Sequence, residues 1–145
     1  MIALVKKADT ADLQKKAFRI REEVFVKEQK VDAQDEFDEF EATSHHFVAL
    51  NKTGDPIGSA RWRITSKGIK LERFTVKKAL RGKGIGSDLV QAVLEDIQGI
   101  HGADQYLYLH AQLTAVDLYL KFGFKKEGNQ FDECGIMHYL MWRKS

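Results

Sequence analysis

The sequence feature that most constrains this chain is a glycine-rich run, Arg-Gly-Lys-Gly-Ile-Gly at residues 81–86, which separates a strand-like segment from a long amphipathic segment. Glycine allows neighbouring backbone N–H groups to point into one hollow, because no Cβ atom stands in the way. The N-terminus of the helix that follows adds about half a positive charge. The run therefore predicts an anion-binding loop, with phosphate or pyrophosphate as its natural occupant.

Two of three phosphate-binding patterns do not fit this run. A nucleoside triphosphate loop needs two glycines five positions apart, followed by Lys and then Ser or Thr, and the sequence has no such segment. A dinucleotide fingerprint needs a glycine where Ser87 stands and an acidic residue that ends a second strand, whereas Asp104 precedes its strand. The third pattern, Arg-x-x-Gly-x-Gly or Ala after a strand, is matched in full by Arg81, Gly84 and Gly86.

Together with two other stretches, the run resembles the GNAT acyltransferases. These stretches are residues 71–76, Leu-Glu-Arg-Phe-Thr-Val, and residues 115–124, which end in Tyr-Leu-Lys-Phe-Gly-Phe; all three occur in that family's order and spacing. The N-terminal half is similar to small bacterial members of the ElaA/YjcF-like subgroup. This likeness rests on the run Arg-Glu-Glu-Val-Phe-Val-Lys-Glu-Gln from Arg21, on the acidic residues 32–41 and on a histidine pair before a strand.

Hydrophobic periodicity predicts a single domain over residues 1–145, in the α/β or α+β class, built on one mixed sheet. A first strand around Ile2, Leu4 and Val5 precedes a helix capped by Thr10. Strands follow at residues 46–50, 57–64 and 69–76, then a helix from Ile85, a strand at 106–110, a helix capped by Thr114 and a last strand at 136–142. The resemblance implies a GNAT-like, mostly antiparallel sheet flanked by helices, whose strands at 69–76 and 106–110 splay apart.

Composition argues against several classes of protein. The 145 residues are 43% hydrophobic and 30% charged, with one cysteine and a formal net charge of +2. These values do not favour disorder, an internal disulfide, a zinc site built on paired cysteines or nucleic-acid binding. No apolar run approaches the roughly 20 residues that span a membrane, and the first residues lack a signal-peptide pattern. We therefore expect a cytoplasmic protein without a nucleic-acid, membrane or metal partner.

The resemblance implies acetyl-CoA as cosubstrate. The pantetheine arm of coenzyme A is expected between the splayed strands, hydrogen-bonded to the backbone near Phe74 and Val76, with the pyrophosphate on the glycine loop. The candidate cofactor-binding residues are Phe74, Thr75, Val76, Arg81, Gly82, Lys83, Gly84, Ile85, Gly86, Ser87 and Phe122.

Three side chains are candidates for the chemistry of acyl transfer. Tyr119 is the candidate general acid that protonates the departing thiolate, since a phenol keeps its proton at neutral pH. Glu72 and His110 are candidate bases for the amine. Structural roles remain open for all three: Tyr119 as a helix anchor, Glu72 as a strand residue paired with Arg73 or Lys70, and His110 as a packed strand-end side chain. A backbone N–H near Thr75 is the candidate oxyanion donor.

These features predict an acetyl-CoA-dependent N-acetyltransferase that acts on a primary amine, of a small molecule or an exposed amino group, by direct transfer in a ternary complex. The alternative is a coenzyme A-binding sensor or interaction module without catalysis. The six carboxylates of residues 32–41 either collect a cationic acceptor or form a solvated loop. A homodimer is a further expectation from the resemblance.

Overall fold

The computed structural model describes residues 3–145. The strands in this part of the chain are β1 (Leu4–Lys7), β2 (His45–Leu50), β3 (Pro56–Ile64), β4 (Ile69–Val76), β5 (Tyr106–Gln112), β6 (Lys125–Glu133) and β7 (Ile136–Lys144). These seven strands form one mixed sheet in the order β1-β2-β3-β4-β5-β7-β6. The helices are α1 (Ala11–Arg21), which continues as a π-helical segment (Glu22–Glu28), α2 (Ala33–Glu36), α3 (Ile85–His101) and α4 (Val116–Lys121). This architecture confirms the predicted fold class.

The two predicted helix caps have different outcomes. The Thr10 hydroxyl accepts a hydrogen bond from the Leu13 N–H at 3.2 Å and caps α1, as predicted. The prediction for Thr114 is wrong, because this residue lies inside a 3₁₀ turn (Leu113–Ala115) and α4 begins at Val116 without a side-chain cap. In the first strand, the predicted position Ile2 lies outside the described residues.

The parallel strands β4 and β5 separate soon after they meet. They are paired at Ile69 with Leu107 and at Lys70 with Tyr108. Beyond Lys70, β4 stays paired with β3 through a bulge in which Arg73 has a φ of +60°, while β5 stays paired with β7 as far as Gln112. The predicted splay is therefore present, and it opens toward the carboxyl ends of both strands.

The two faces of the sheet differ in polarity. On one face, α3 packs an apolar stripe of Leu89, Val90, Val93 and Ile97 against buried strand residues, which gives the main core. On the other face, beneath α1, charged side chains are buried: Arg21 is 1% and Arg61 0% exposed. Buried charges need partners, and their partners come from the acidic segment described below. Within residues 3–145, none of the helices is long and apolar enough to cross a membrane.

Candidate active site

The gap between β4 and β5 opens into a pocket of about 160 Å³, several times the space that one water molecule needs. Both strands, the segment after α1 and the β6–β7 turn contribute to its walls. Its lining residues include Phe25, Gln29, Asp35, Glu72, Arg73, Phe74, His110, Gln112, Tyr119, Glu133, Cys134 and His138. All three predicted catalytic side chains thus share one pocket.

The glycine loop lies where β4 leads into α3. Gly82 and Gly84 have φ values of +79° and +88°, and an added Cβ at either would meet no other atom within 4 Å. Gly84 is the N-cap residue of the 17-residue helix α3, and no side chain caps that end. The buried Ile85 anchors the helix start, whereas Arg81, Gly82 and Lys83 are exposed. The loop is therefore an exposed, glycine-rich backbone at a helix N-terminus, which suits an anion.

The backbone of β4 beyond the bulge has polar groups available to the gap. The Lys77 N–H donates to the Ile57 carbonyl at 2.8 Å, and strand geometry alternates the direction of successive backbone groups. Thr75 therefore faces β3, whereas Phe74 and Val76 face the gap. Arg81 Nε donates to the Val76 carbonyl at 2.9 Å, which leaves the Val76 N–H and the Phe74 backbone facing the gap. The Thr75 hydroxyl is sealed from solvent and has no hydrogen-bond partner among residues 3–145.

Tyr119 is held by aromatic rings at the inner end of the pocket. Its ring lies edge-on to those of Phe74 and Phe124, with centroid distances of 5.7 and 6.1 Å. The side chain is 6% exposed, and burial raises the pKa of its hydroxyl above the usual value. Tyr119 thus both anchors α4 and stays protonated, so the structural and the chemical interpretation are compatible.

Glu72 is surrounded by cations. Arg61 Nε donates to its Oε2 at 2.6 Å and Arg63 Nε at 2.9 Å, while Lys70 Nζ lies 3.4 Å from Oε1. Burial raises the pKa of this carboxyl, but the neighbouring Arg61, Arg73 and Lys70 outweigh it and lower the pKa to about 2. Such a carboxylate is a very weak base, so the geometry favours the structural alternative for Glu72, in which it pairs with strand cations.

His110 is paired with a carboxylate that the sequence reasoning missed. Its Nδ1 lies 2.7 Å from Oε2 of Glu133, and the Phe131 ring packs edge-on against the imidazole at 5.0 Å. The hydrogen bond from His110 lowers the pKa of Glu133. The two residues stand 23 positions apart, so no local spacing could have shown the pair.

Two further groups of the pocket were not among the predicted site residues, although Gln29 ends the run from Arg21 that resembles the ElaA/YjcF-like subgroup. His138 stands between Met137 and Tyr139 in the last strand; its Nδ1 donates to the Ile136 carbonyl at 2.7 Å. The Gln29 and Gln112 amides bond to each other through two hydrogen bonds of 3.3 and 2.8 Å. This amide pair ties the segment after α1 to the end of β5 and closes one side of the pocket.

The six carboxylates of the acidic residues 32–41 form two sets of three. One set binds buried arginines: Glu36 and Glu41 bind Arg21 at 2.9 and 2.8 Å, and Asp38 binds Arg61 at 2.7 Å. The other set, Asp32, Asp35 and Glu39, is exposed. The segment is therefore a partly neutralised wall of the pocket, with Asp35 as an exposed carboxylate on its rim.

Two predicted cofactor-binding side chains make contacts elsewhere. Phe122 ends α4, its carbonyl accepts from Arg143 at 2.6 Å, and its side chain lines a shallow surface depression rather than the central pocket. Arg81 binds Glu28 through two hydrogen bonds of 2.8 Å. Its guanidinium therefore has a carboxylate partner, and the part of Arg81 free for an anion is its backbone.

Comparison with known proteins agrees with this geometry. Residues 8–144 match the family model described as an acetyltransferase (GNAT) domain. The chain is 41% identical over 130 residues to the uncharacterized N-acetyltransferase YjcF of Bacillus subtilis (strain 168), which covers 89% of this chain and 91% of that protein. The crystal structure of Escherichia coli ElaA superimposes with a TM-score of 0.86 at 23% identity, over 98% of this chain and 99% of that one.

A more distant structure is that of an aminoglycoside 6'-N-acetyltransferase complexed with coenzyme A, with a TM-score of 0.73 at 14% identity, over 97% of this chain and 96% of that one. At such identity, the likeness concerns the fold. The family model and the 41% identity to YjcF show more than the fold: the chain belongs to the GNAT acetyltransferase family.

Proposed function

We propose that the protein transfers an acetyl group from acetyl-CoA to a primary amine by direct transfer in a ternary complex. One observation carries the proposal: a pocket that contains Tyr119 and His110 opens between two separated strands, and one of these strands leads directly into the glycine loop at the start of α3. Acetyl-CoA supplies the activated acyl group, as a thioester.

The residues of the gap fit this cosubstrate. The loop from Arg81 to Gly86 offers backbone N–H groups and a helix N-terminus to the pyrophosphate, and Lys83 adds an exposed positive charge. The Phe74 backbone faces the gap, where it can bind the pantetheine arm or donate to the oxygen of the reacting carbonyl. The Thr75 hydroxyl is sealed from solvent and Phe122 lines a depression outside the gap, so we assign both residues a packing role.

Two side chains handle the protons. His110 accepts a proton from the amine as the nitrogen forms its bond to the acetyl carbon. Tyr119 donates its hydroxyl proton to the sulfur as the carbon–sulfur bond breaks. The proton held by His110 returns to Tyr119 through solvent, so the reaction involves no net gain or loss of protons. Burial makes the phenol a weaker acid, but the same apolar surroundings make the thiolate a stronger base.

A binding module without catalysis would share the loop and the gap. The difference lies in turnover, because a module binds acetyl-CoA but forms no acetylated product. The presence of Tyr119 and the His110–Glu133 pair in the same pocket favours the enzyme.

The test has two steps. Thermal unfolding is measured with acetyl-CoA, free CoA, ATP and NAD separately; a ligand at 100 times its Kd stabilises by about 2.7 kcal/mol, which raises Tm by several degrees. Release of the CoA thiol is then followed with an alkylamine, a polyamine, an amino acid, an aminoglycoside and a lysine peptide. We expect Tm shifts with the two CoA ligands only, and thiol release that depends on one class of amine. Stabilisation by CoA without thiol release from any amine supports the binding module instead.

A further inference from the structure

The carboxylate of Glu133 has no role in the proton transfers described above, yet it touches one of the two residues that carry them. Glu133 is the last residue of β6, and Cys134 and Gly135 connect it to β7 with φ values of +54° and +79°. Two consecutive residues with positive φ form the tight type of hairpin turn. Asp132 Oδ1 accepts the Gly135 N–H at 3.1 Å and fixes this turn, so the backbone of Glu133 is held in place.

The contact between Glu133 and His110 determines which ring nitrogen bears hydrogen. A carboxylate accepts hydrogen bonds and cannot donate one. At a distance of 2.7 Å from Oε2, Nδ1 of His110 must therefore be the donor. In the neutral ring the other nitrogen, Nε2, then holds the lone pair and is the basic atom. Phe131, packed edge-on against the ring, limits its rotation.

We propose that Glu133 is a positioning residue: it keeps the proton of His110 on Nδ1 and thereby leaves Nε2 free to take the proton of the acceptor amine. The inference rests on the proposed function, since it assigns His110 the role of base. After the transfer, Glu133 also lies against a positively charged ring, where the hydrogen bond becomes charge-assisted and stronger. The bond that forms is Nε2–H, the bond that breaks is the amine N–H, and Glu133 itself gains no proton.

His138 provides the competing assignment. It lines the same pocket, and its Nδ1 donates to a backbone carbonyl, so its Nε2 is also free of hydrogen in the neutral ring. Its hydrogen-bond partner is a neutral carbonyl rather than a carboxylate, and the residue is 7% exposed, so it is less accessible to an acceptor amine than His110, whose side chain is 27% exposed. The geometry therefore favours His110, and the test includes both histidines.

The experiment uses Glu133→Ala, with Glu127→Ala as the matched control, because Glu127 is an exposed carboxylate on the same strand and outside the pocket. Long-range ¹H–¹⁵N spectra at pH 9 report the tautomer of each neutral histidine, and His110→Gln assigns its signals. We expect His110 to be the Nδ1–H tautomer in the unaltered protein and in Glu127→Ala. In Glu133→Ala, we expect a shift toward the Nε2–H form.

Turnover completes the test. We expect Glu133→Ala to lower kcat at least tenfold, with the KM for acetyl-CoA changed less than twofold, and Glu133→Asp to recover part of the rate. His138→Gln should retain more activity than His110→Gln. The inference is overturned if Glu133→Ala keeps the rate of the unaltered protein, if the His110 tautomer does not respond, or if His138→Gln has the larger defect. Failure of the proposed function looks different, because the unaltered protein then transfers no acetyl group to any amine.

Discussion

Arg61 on β3 and Glu72 on β4 form a buried ion pair across the centre of the sheet, with Arg61 Nε 2.6 Å from Glu72 Oε2. Arg61 also binds Asp38 and Glu41 of the acidic segment, at 2.7 and 2.8 Å. The guanidinium of Arg61 thus connects β4, which borders the gap, to the acidic segment in the wall of the pocket. We infer that these charges hold the pocket in shape rather than take part in proton transfer.

Replacement of Glu72 by glutamine should reduce stability. The change removes one of the three carboxylates that bind the buried Arg61 and weakens its charge-assisted hydrogen bonds, a loss that typically costs about 1.5 to 3 kcal/mol in the free energy of unfolding. Denaturant unfolding measures this loss, and Glu127→Gln on exposed β6 serves as control with an expected change within about 0.5 kcal/mol. If Glu72 were instead the general base, Glu72→Gln would abolish turnover while the folded protein kept its stability.

Stability should also fall in acid. The pKa of Glu72 and that of Asp38 are each lowered to about 2 in the folded protein, from ordinary values near 4.5 and 3.8. Because the folded state holds these protons more weakly than the unfolded chain, both groups stabilise the fold above about pH 4.5, and this contribution is lost between about pH 4.5 and 2. Glu36, whose pKa is raised chiefly by burial, acts in the opposite direction.

The free energy of unfolding measured from pH 7 to pH 2 checks this dependence. We expect a steady decrease below about pH 5 and a shallower one in Glu72→Gln, which has lost one of the carboxylates whose pKa is lowered in the folded protein. If the free energy of unfolding fell with the same slope in the unaltered protein and in Glu72→Gln, Glu72 would not be a source of the pH dependence.

The sequence predicts the parts of this site that depend on local pattern, and misses those that depend on distant pairing. The glycine loop, the start of α3 at Ile85 and the place of Tyr119 follow from short motifs and helical periodicity. The Arg61–Asp38 and His110–Glu133 contacts each join residues 23 positions apart, and only the folded chain brings them together. Thr114 failed as a cap because a 3₁₀ turn, which spacing alone does not distinguish from a helix start, precedes α4.

Tyr119→Phe should slow turnover without weakening cofactor binding. The substitution removes the hydroxyl proton but keeps the ring that packs between Phe74 and Phe124. General acid catalysis contributes roughly 10²-fold or more, so we expect kcat to fall by about that factor while acetyl-CoA raises Tm as before. Tyr106→Phe, on the strand surface outside the pocket, is the control and should leave kcat unchanged. An equal kcat in both variants would remove the general acid role.

Gly84→Ala should weaken coenzyme A binding more than its cost in stability explains. At a φ of +88° an added Cβ strains the backbone by about 1 to 2 kcal/mol, and it adds bulk to the open backbone of the loop. Gly102→Ala is the control: it has a φ of +72°, lies at the other end of α3 and likewise meets no atom within 4 Å. Calorimetric titration with CoA should show at least a tenfold rise in Kd for Gly84→Ala and none for Gly102→Ala. Equal Kd values would mean that the loop does not contact the ligand.

Glu28→Gln should strengthen coenzyme A binding. Glu28 neutralises Arg81 at the edge of the loop through two hydrogen bonds of 2.8 Å, so its charge opposes a pyrophosphate on the same loop. The pair is partly exposed, with side chains 40% and 29% accessible, and exposed pairs contribute at most about 1 kcal/mol. We therefore expect Kd for CoA to fall by about two- to fivefold at low salt, and the gain to shrink as added salt screens the charge.

Glu22→Gln makes the same change of net charge in the same helical segment, where the carboxylate faces Lys27 at 3.8 Å, and should leave Kd unchanged. A weaker Kd in Glu28→Gln would show instead that the Glu28–Arg81 pair holds the loop in the conformation that binds, because the loss of that support then outweighs the gain in charge.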